Sequence, residues 1–234
     1  MREIILNENF NYIGVFLSLG CNLSCSYCIN HTSGLKMQRK HLSAKDWVTG
    51  LNRIQHSKDL PLSLQGGEPS IHPGFYQILN GLNPGHTIDL LTNIQFDPIE
   101  FSKKVDKKIF SRDLPYPSIR VSFHPEQTKF DPIFEKVSLL HNLGYSIGIF
   151  SVKHPAHLKE LAHAESKCKN SGIIFKYKEL LGVYDNKKYG RLSINDACYS
   201  KTLKSCLCKS SELLIAPDGK IYKCHHDLYN DIDP

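Results

Sequence analysis

The chain has 234 residues, of which 41% are hydrophobic and 22% charged, and these are the proportions of an ordinary globular protein. Its formal net charge of +6 is spread along the sequence and does not demand a nucleic-acid partner. No segment approaches the roughly 20 apolar residues of a membrane helix, and residues 1–11 lack the pattern of a secretion signal. The sequence therefore predicts a cytoplasmic protein whose eight cysteines serve metal binding rather than disulfide bonds.

Apolar, β-rich segments alternate with helical patterns along most of the chain. The predicted strands cover 12–19, 61–65, 87–92, 119–123, 146–152 and 173–178, and the predicted helices cover 43–57, 73–82, 98–110, 132–143 and 155–169. Four of the five helices begin with proline after His or Asp, which suits the first helical position. The alternation predicts an α/β fold with a parallel sheet and helical crossovers, and six units are too few for an eight-stranded barrel.

The first predicted strand leads into the segment Cys21-Asn22-Leu23-Ser24-Cys25-Ser26-Tyr27-Cys28. Three thiols in a C-x3-C-x2-C run can surround one soft metal centre, because a single loop carries all of them. A closed zinc or iron–sulfur site takes four protein ligands, so three cysteines would leave one iron of a [4Fe–4S] cluster open. The alternative is a zinc knuckle whose fourth ligand is His31 or another cysteine.

This cysteine spacing, with an aromatic residue before the last cysteine, resembles the signature of the radical S-adenosylmethionine (SAM) enzymes. The resemblance implies a partial (β/α)6 barrel, here residues 1–180, and a [4Fe–4S] cluster held by Cys21, Cys25 and Cys28. It implies that SAM chelates the fourth iron and is cleaved by one electron, which a reduced flavodoxin or ferredoxin would supply. The product, a 5′-deoxyadenosyl radical, would then abstract hydrogen from the substrate.

Such a barrel gathers its chemistry at the C-terminal ends of its strands. Gly66-Gly67-Glu68-Pro69 follows the second strand and matches the family's GGE motif, which implies binding of the SAM amino group. The two glycines also let the backbone approach a ligand closely. Asn93 and Ser122 end the next two strands, where related enzymes hold the ribose hydroxyls and carboxylate of SAM. Both residues also favour ordinary turns.

The candidate catalytic residues are His124, Lys178 and Glu179. His124 follows the fourth strand and can transfer a proton or bind SAM or substrate, with capping of the next turn as the alternative. Lys178 and Glu179 lie on opposite faces of the sixth strand. We expect a lysine–glutamate salt bridge there, with a substrate or SAM carboxylate as the alternative partner. Tyr27 is expected to pack over the cluster or the adenine.

Residues 181–234 change character and are predicted to form a C-terminal extension. After a loop at 182–190, a hairpin is expected at 213–222 around Pro217-Asp218-Gly219. The pattern resembles the twitch or SPASM domains of radical SAM enzymes, which implies an auxiliary iron–sulfur cluster on Cys206, Cys208 and Cys224. Cys198 is the expected fourth ligand, with His225, His226 or an open position as alternatives, and a zinc site or free thiols as the competing interpretation. A full SPASM domain would need more cysteines, which favours the short twitch type or a truncated sequence.

The sequence thus predicts a radical SAM enzyme that abstracts hydrogen from a small molecule such as a sugar, a nucleoside or a cofactor precursor. The small-molecule preference depends on the lack of a peptide-recognition domain before the barrel. A maturase that modifies a ribosomal peptide is the alternative within this class. Two hypotheses of other classes are a zinc-stabilised binding module and an iron–sulfur protein that carries or senses electrons without cleaving SAM.

Overall fold

A computed structural model describes residues 2–32, 40–56, 60–190 and 211–232. Its strands are β1 (Ile4–Leu6), β2 (Tyr12–Ser18), β3 (Ile54–His56), β4 (Leu62–Gly66), β5 (Ile88–Thr92), β6 (Ile119–Phe123), β7 (Ile147–Val152), β8 (Ile174–Lys178), β9 (Gly182–Tyr184), β10 (Lys187–Tyr189), β11 (Glu212–Ile215) and β12 (Ile221–Tyr222). Its helices are α1 (Ile29–Thr32), α2 (Ala44–Leu51), α3 (Phe75–Gly81), α4 (Pro98–Lys104), α5 (Phe130–Asn142), α6 (Leu158–Asn170) and α7 (His225–Asn230). Short 3₁₀ turns occupy Pro69–Ile71, Lys107–Phe110 and Pro155–His157.

Eight strands form one sheet in the order β12-β11-β2-β4-β5-β6-β7-β8. All neighbours in this sheet are parallel except the hairpin partners β11 and β12. The six strands β2, β4, β5, β6, β7 and β8 follow one another through crossover segments that contain helices, so the predicted α/β fold with six parallel units is confirmed. Because these strands are parallel, their C-terminal ends lie along one edge of the sheet.

Side chains on the two faces of β2 belong to two different apolar clusters. Ile13, Val15 and Leu17 join the main core with residues of the helices, while Phe16 packs on the other face of the sheet. Leu214 of β11, Tyr222 of β12 and Leu228 of α7 complete the smaller cluster around Phe16. The C-terminal hairpin and α7 therefore cover the face of β2 that the helices leave free. No helix in the described ranges has the length and apolarity needed to cross a bilayer.

The structure differs from the sequence prediction in the starts of three helices, since α3 begins at Phe75, α5 at Phe130 and α6 at Leu158 rather than at the predicted prolines. Three further differences change a predicted element. The helix predicted at 43–57 ends at Leu51 and gives way to β3, which pairs with β1 in a separate small sheet. The loop predicted at 182–190 is the hairpin β9–β10, whose turn residues Asp185 and Asn186 adopt φ values of 50° and 59°. The helix predicted at 98–110 is interrupted after α4 and resumes as a 3₁₀ turn. Since β11 pairs with β2, both predicted domains contribute to one sheet, and their division at residue 180 stays a prediction.

Candidate active site

The thiols of Cys21, Cys25 and Cys28 open onto one cavity of about 200 Å³ at the C-terminal edge of the sheet. The loop that carries them begins three residues after β2 ends. The cavity brings together every predicted cofactor-binding residue and one of the three predicted catalytic residues: Tyr27, Gly66, Gly67, Glu68, Asn93, Ser122 and His124. Leu23, Gln65, Leu91 and Thr92 complete its wall.

Two glycines let the end of β4 lie against the end of β2. Gly66 has φ +132°, and a Cβ atom there would lie 1.9 Å from the Ser18 carbonyl oxygen. A Cβ atom on Gly67 would lie 1.9 Å from the Gly20 carbonyl oxygen. The Gly67 N–H donates to Ser18 O at 2.8 Å, and the Glu68 N–H donates to Gly20 O at 2.9 Å. The glycines are therefore required by contact between two chain segments, whether or not a ligand is present.

The Glu68 carboxylate is buried and accepts four hydrogen bonds. Its Oε1 accepts from Ser70 N at 3.0 Å, Ser70 Oγ at 2.6 Å and Thr92 Oγ1 at 2.7 Å, and its Oε2 accepts from Asn93 N at 2.6 Å. This side chain joins the loop after β4 to the end of β5. The sequence left open whether Glu68 accepts from an ammonium group or makes structural hydrogen bonds, and the structural bonds are present.

Asn93 connects the end of β5 to the cysteine loop. Its Nδ2 donates to Asn22 Oδ1 at 2.9 Å and lies 3.7 Å from the sulfur of Cys21. Its Oδ1 is buried and has no hydrogen-bond partner among the described residues. A buried acceptor without a partner is costly, so this atom is suited to accept from an ammonium or hydroxyl group of a ligand in the cavity.

The loop after β6 also holds the cysteine loop in place. Glu126 accepts from the Ser26 N–H at 2.5 Å and from the Ser26 hydroxyl at 2.9 Å. Gln127 exchanges two bonds with Ser24, each of 3.3 Å, through its Oε1 and Nε2. These contacts join segments about 100 residues apart in sequence. They fix the peptide groups between the first and last cysteine of the motif.

An aromatic group lies beside the thiols. The Tyr27 hydroxyl lies 2.9 Å from His124 Nδ1, and the Tyr27 ring lies 5.5 Å from the His154 ring. Burial raises the pKa of Tyr27, so the phenol keeps its proton. Burial lowers the pKa of His124, partly opposed by Glu126. Burial therefore favours a neutral imidazole, whose Nδ1 shares a hydrogen bond with the Tyr27 hydroxyl.

The surroundings of the three cysteines disfavour free thiolates and are better suited to thiolates that bind a cationic centre. Burial raises the pKa of Cys21, and burial followed by the charge of Glu126 raises the pKa of Cys25 to about 12. A bound metal centre supplies the positive charge that would hold such thiols deprotonated. In the described ranges, no three His, Cys, Asp or Glu side chains are arranged to hold a single metal ion. A cubane does not require such convergence, because each thiolate binds a different iron.

Lys178 and Glu179 lie outside this cavity and line a neighbouring cavity of about 640 Å³, which also includes Tyr27. On β8, the Tyr177 hydroxyl donates to Glu165 of α6 at 2.9 Å, so Tyr177 faces the helices and Lys178 faces the opposite surface. The salt bridge expected for this strand is not formed between Lys178 and any carboxylate of the described residues.

Of the four cysteines predicted to bind the auxiliary cluster, only Cys224 lies among the described residues. Cys224 is the residue before α7, and it is a reduced thiol like the three loop cysteines and Cys168. Three further predicted ligands, Cys198, Cys206 and Cys208, lie outside the described residues, and so does the side chain of His31. His225, an alternative ligand, instead places Nδ1 at 3.0 Å from Glu212. The auxiliary cluster stays a prediction.

Sequence reasoning assigned no role to four residues that support the site: Thr92, Glu126, Gln127 and His154. Thr92 and His154 end predicted strands, so their position was a usable signal. Glu126 and Gln127 follow His124 by two and three residues, but nothing local indicates that their partners are Ser26 and Ser24.

Several solved structures share this fold, among them the three described next. Streptococcus suis SuiB bound to precursor peptide SuiA superimposes with a TM-score of 0.60 at 14% identity, over 97% of this chain and 62% of SuiB. Native anSMEcpe with bound AdoMet and Cp18Cys peptide gives 0.54 at 16% identity, over 92% of this chain and 74% of that one. Hexahistidine-tagged anSMEcpe with bound AdoMet gives 0.58 at 14% identity, over 91% and 74%.

These similarities confirm the predicted α/β fold with its parallel sheet. The chain spans 62% of the length of SuiB, so the similarity concerns the fold of that part of SuiB. No protein-family model and no curated protein sequence matches the chain.

Proposed function

We propose that this chain is a radical SAM enzyme whose cysteine loop holds a [4Fe–4S] cluster and whose cavity holds SAM. One observation carries the proposal: Cys21, Cys25 and Cys28 line the same cavity as Asn93, whose buried Oδ1 has no hydrogen-bond partner among the described residues. The similarity of fold to anSMEcpe with bound AdoMet supports it. When bound, the cluster and SAM supply hydrogen-atom abstraction from a C–H bond of the substrate.

The surrounding residues position these groups. Glu126 and Gln127 hold the cysteine loop in place, and Glu68 braces the loop after β4. Asn93 Oδ1 is the acceptor available to an ammonium or hydroxyl group of SAM. Tyr27 and the neutral His124 form the polar end of the cavity, where His124 can accept or pass on a proton.

We infer that the substrate is a peptide. SuiB is bound to precursor peptide SuiA, and anSMEcpe is bound to Cp18Cys peptide. The small-molecule preference drawn from the sequence has no support among these similar structures, and the maturase alternative is favoured. Cys224 is proposed as a ligand of an auxiliary cluster together with Cys198, Cys206 and Cys208.

The test is anaerobic reconstitution with iron and sulfide, followed by reduction with dithionite in the presence of SAM. We expect a brown protein with about four irons per chain in the loop cluster and release of 5′-deoxyadenosine. Cys25→Ala should abolish both the loop-cluster electron paramagnetic resonance signal and 5′-deoxyadenosine release. Cys168→Ala, which removes the buried thiol of α6, is the matched control and should retain both.

Other outcomes identify the competing functions. A colourless protein that binds zinc at Cys25 would instead be a binding module. A brown protein that never releases 5′-deoxyadenosine would be an electron carrier or sensor. Cys224→Ala should lower the total iron content while the loop cluster persists, and an unchanged iron content would contradict the auxiliary site.

A further inference from the structure

A second cavity, of about 640 Å³, lies beside the cysteine cavity and shares Tyr27 with it. Its volume is within the range of about 300–1,000 Å³ that is usual for ligand sites. Large apolar side chains line it and remain open to solvent: Ile29 is 51% exposed, Leu181 62% and Val183 64%. Exposed apolar side chains gathered at one cavity indicate a surface that a ligand covers.

Lys178 places a positive charge in this apolar cavity. No carboxylate of the described residues lies within 4.0 Å of its ammonium group, although Glu179 lines the same cavity. Lys178 is exposed as a residue, and desolvation followed by the nearby Arg120 guanidinium lowers the pKa of its ammonium group. An anionic group of a ligand would be attracted to this ammonium group and would favour its charged form.

The hairpin β9–β10 borders the cavity, and among the described residues β9 pairs with no strand other than β10. Lys187 pairs with Tyr184 across the two-residue turn, so Val183, opposite Lys188, occupies a non-hydrogen-bonded position. The N–H and C=O of Val183 therefore point away from β10. A two-stranded ribbon is only marginally stable alone, and an extended peptide can add to its edge as a third strand.

The hairpin contacts the cysteine loop through three neighbouring rings. Tyr184 lies 4.6 Å from His154, and His154 lies 5.5 Å from Tyr27, measured between ring centroids. Tyr27 in turn precedes Cys28 and forms part of both cavities. A ligand held against the hairpin would therefore lie next to the proposed cluster and SAM.

We propose that this second cavity binds an acidic segment of the peptide substrate, with a carboxylate on Lys178, apolar side chains against Leu181 and Val183, and the peptide main chain along β9. This inference rests on the proposed function, because it takes the substrate to be a peptide and adds where that peptide binds and which charge it carries. A peptide is favoured over a small anion because the outward-facing peptide groups of Val183 match an extended main chain.

The test uses two rhodamine-labelled peptides, Ser-Leu-Val-Glu-Val-Leu and the same peptide with Gln in place of Glu, and measures binding by fluorescence anisotropy. The unsubstituted chain should bind the Glu peptide about tenfold more tightly than the Gln peptide. Lys178→Met should remove this preference. Lys176→Met is the matched control on the same face of β8, where the ammonium group donates to Pro115 O at 3.3 Å, and it should keep the preference.

Three results would overturn the inference: no peptide binding, a preference that survives in Lys178→Met, or an equal loss in Lys176→Met. Hexanoate has a carboxylate without a peptide backbone and should displace the Glu peptide only at concentrations about 100-fold higher. Displacement at a concentration equal to that of unlabelled Glu peptide would refute the peptide assignment.

SAM cleavage by the unsubstituted chain, measured without peptide, separates this inference from the proposed function. If 5′-deoxyadenosine is released and the charge preference is absent, only the substrate site is wrong. If the preference is present and no 5′-deoxyadenosine forms, the cavity binds peptides but the proposed reaction fails.

Discussion

Replacing Glu68 tests whether this residue braces the site or binds SAM directly. Its carboxylate accepts from two groups of Ser70 and from Thr92 and Asn93, at distances of 2.6–3.0 Å. Hydrogen bonds to a charged group each contribute about 1.5–3 kcal/mol, and a buried donor left without a partner costs about 1–3 kcal/mol. Glu68→Gln keeps the shape of the side chain but directs an amide N–H at one of these donors. We expect the free energy of unfolding to fall by about 2–3 kcal/mol.

Urea denaturation monitored by circular dichroism measures this change on the full chain. Glu100→Gln is the control, because Glu100 forms a half-exposed pair with Lys104 on α4 and such pairs contribute about 0.5 kcal/mol or less. If Glu68 instead bound the SAM amino group, Glu68→Gln would weaken SAM binding while leaving stability close to that of Glu100→Gln. That result would refute the bracing role.

Two further predictions concern the backbone at Gly67 and the buried side chain of His86. Gly67→Ala places a Cβ atom 1.9 Å from the Gly20 carbonyl oxygen and should lower the free energy of unfolding by about 3 kcal/mol or more, measured in urea. Gly50→Ala, inside α2 with no atom within 4 Å of the new Cβ, should instead raise it by about 0.5–1 kcal/mol, and equal effects would contradict the close approach. Burial lowers the pKa of His86, so the unfolded chain binds a proton at higher pH than the folded chain. The contribution of His86 to the free energy of unfolding is therefore fully present above the unfolded pKa of about 6.5 and is lost as the pH falls below it. Thermal unfolding between pH 7.5 and 5.5 should show this loss, by at most about 1.4 kcal/mol per pH unit for this residue, and His86→Asn should reduce the slope whereas His163→Asn, at an exposed position, should not.

The elements of the parallel sheet were predictable because their signals are local. Each of the six strands is a short β-rich run, and the burial of apolar side chains in strands such as β2 and β6 follows directly from that pattern. Helix starts were equally local: Ser43 accepts from the Asp46 N–H, and Asp97 accepts from the Glu100 N–H before Pro98. The hairpin β9–β10 was missed because its turn, Asp185-Asn186, lies between lysine- and tyrosine-rich segments that lack an apolar alternation.

The amino-acid order alone specified the cysteine spacing, the glycine pair and the succession of strands and helices, since each depends on residues only a few positions apart. The folded chain was needed to show which groups meet across long separations. It directs the Glu68 carboxylate to Asn93 and joins Ser26 to Glu126, 100 residues away. It also leaves Lys178 in an apolar cavity without a described carboxylate partner. These contacts follow from the lateral order of the strands and the paths of their loops, which set neighbours that no local pattern specifies.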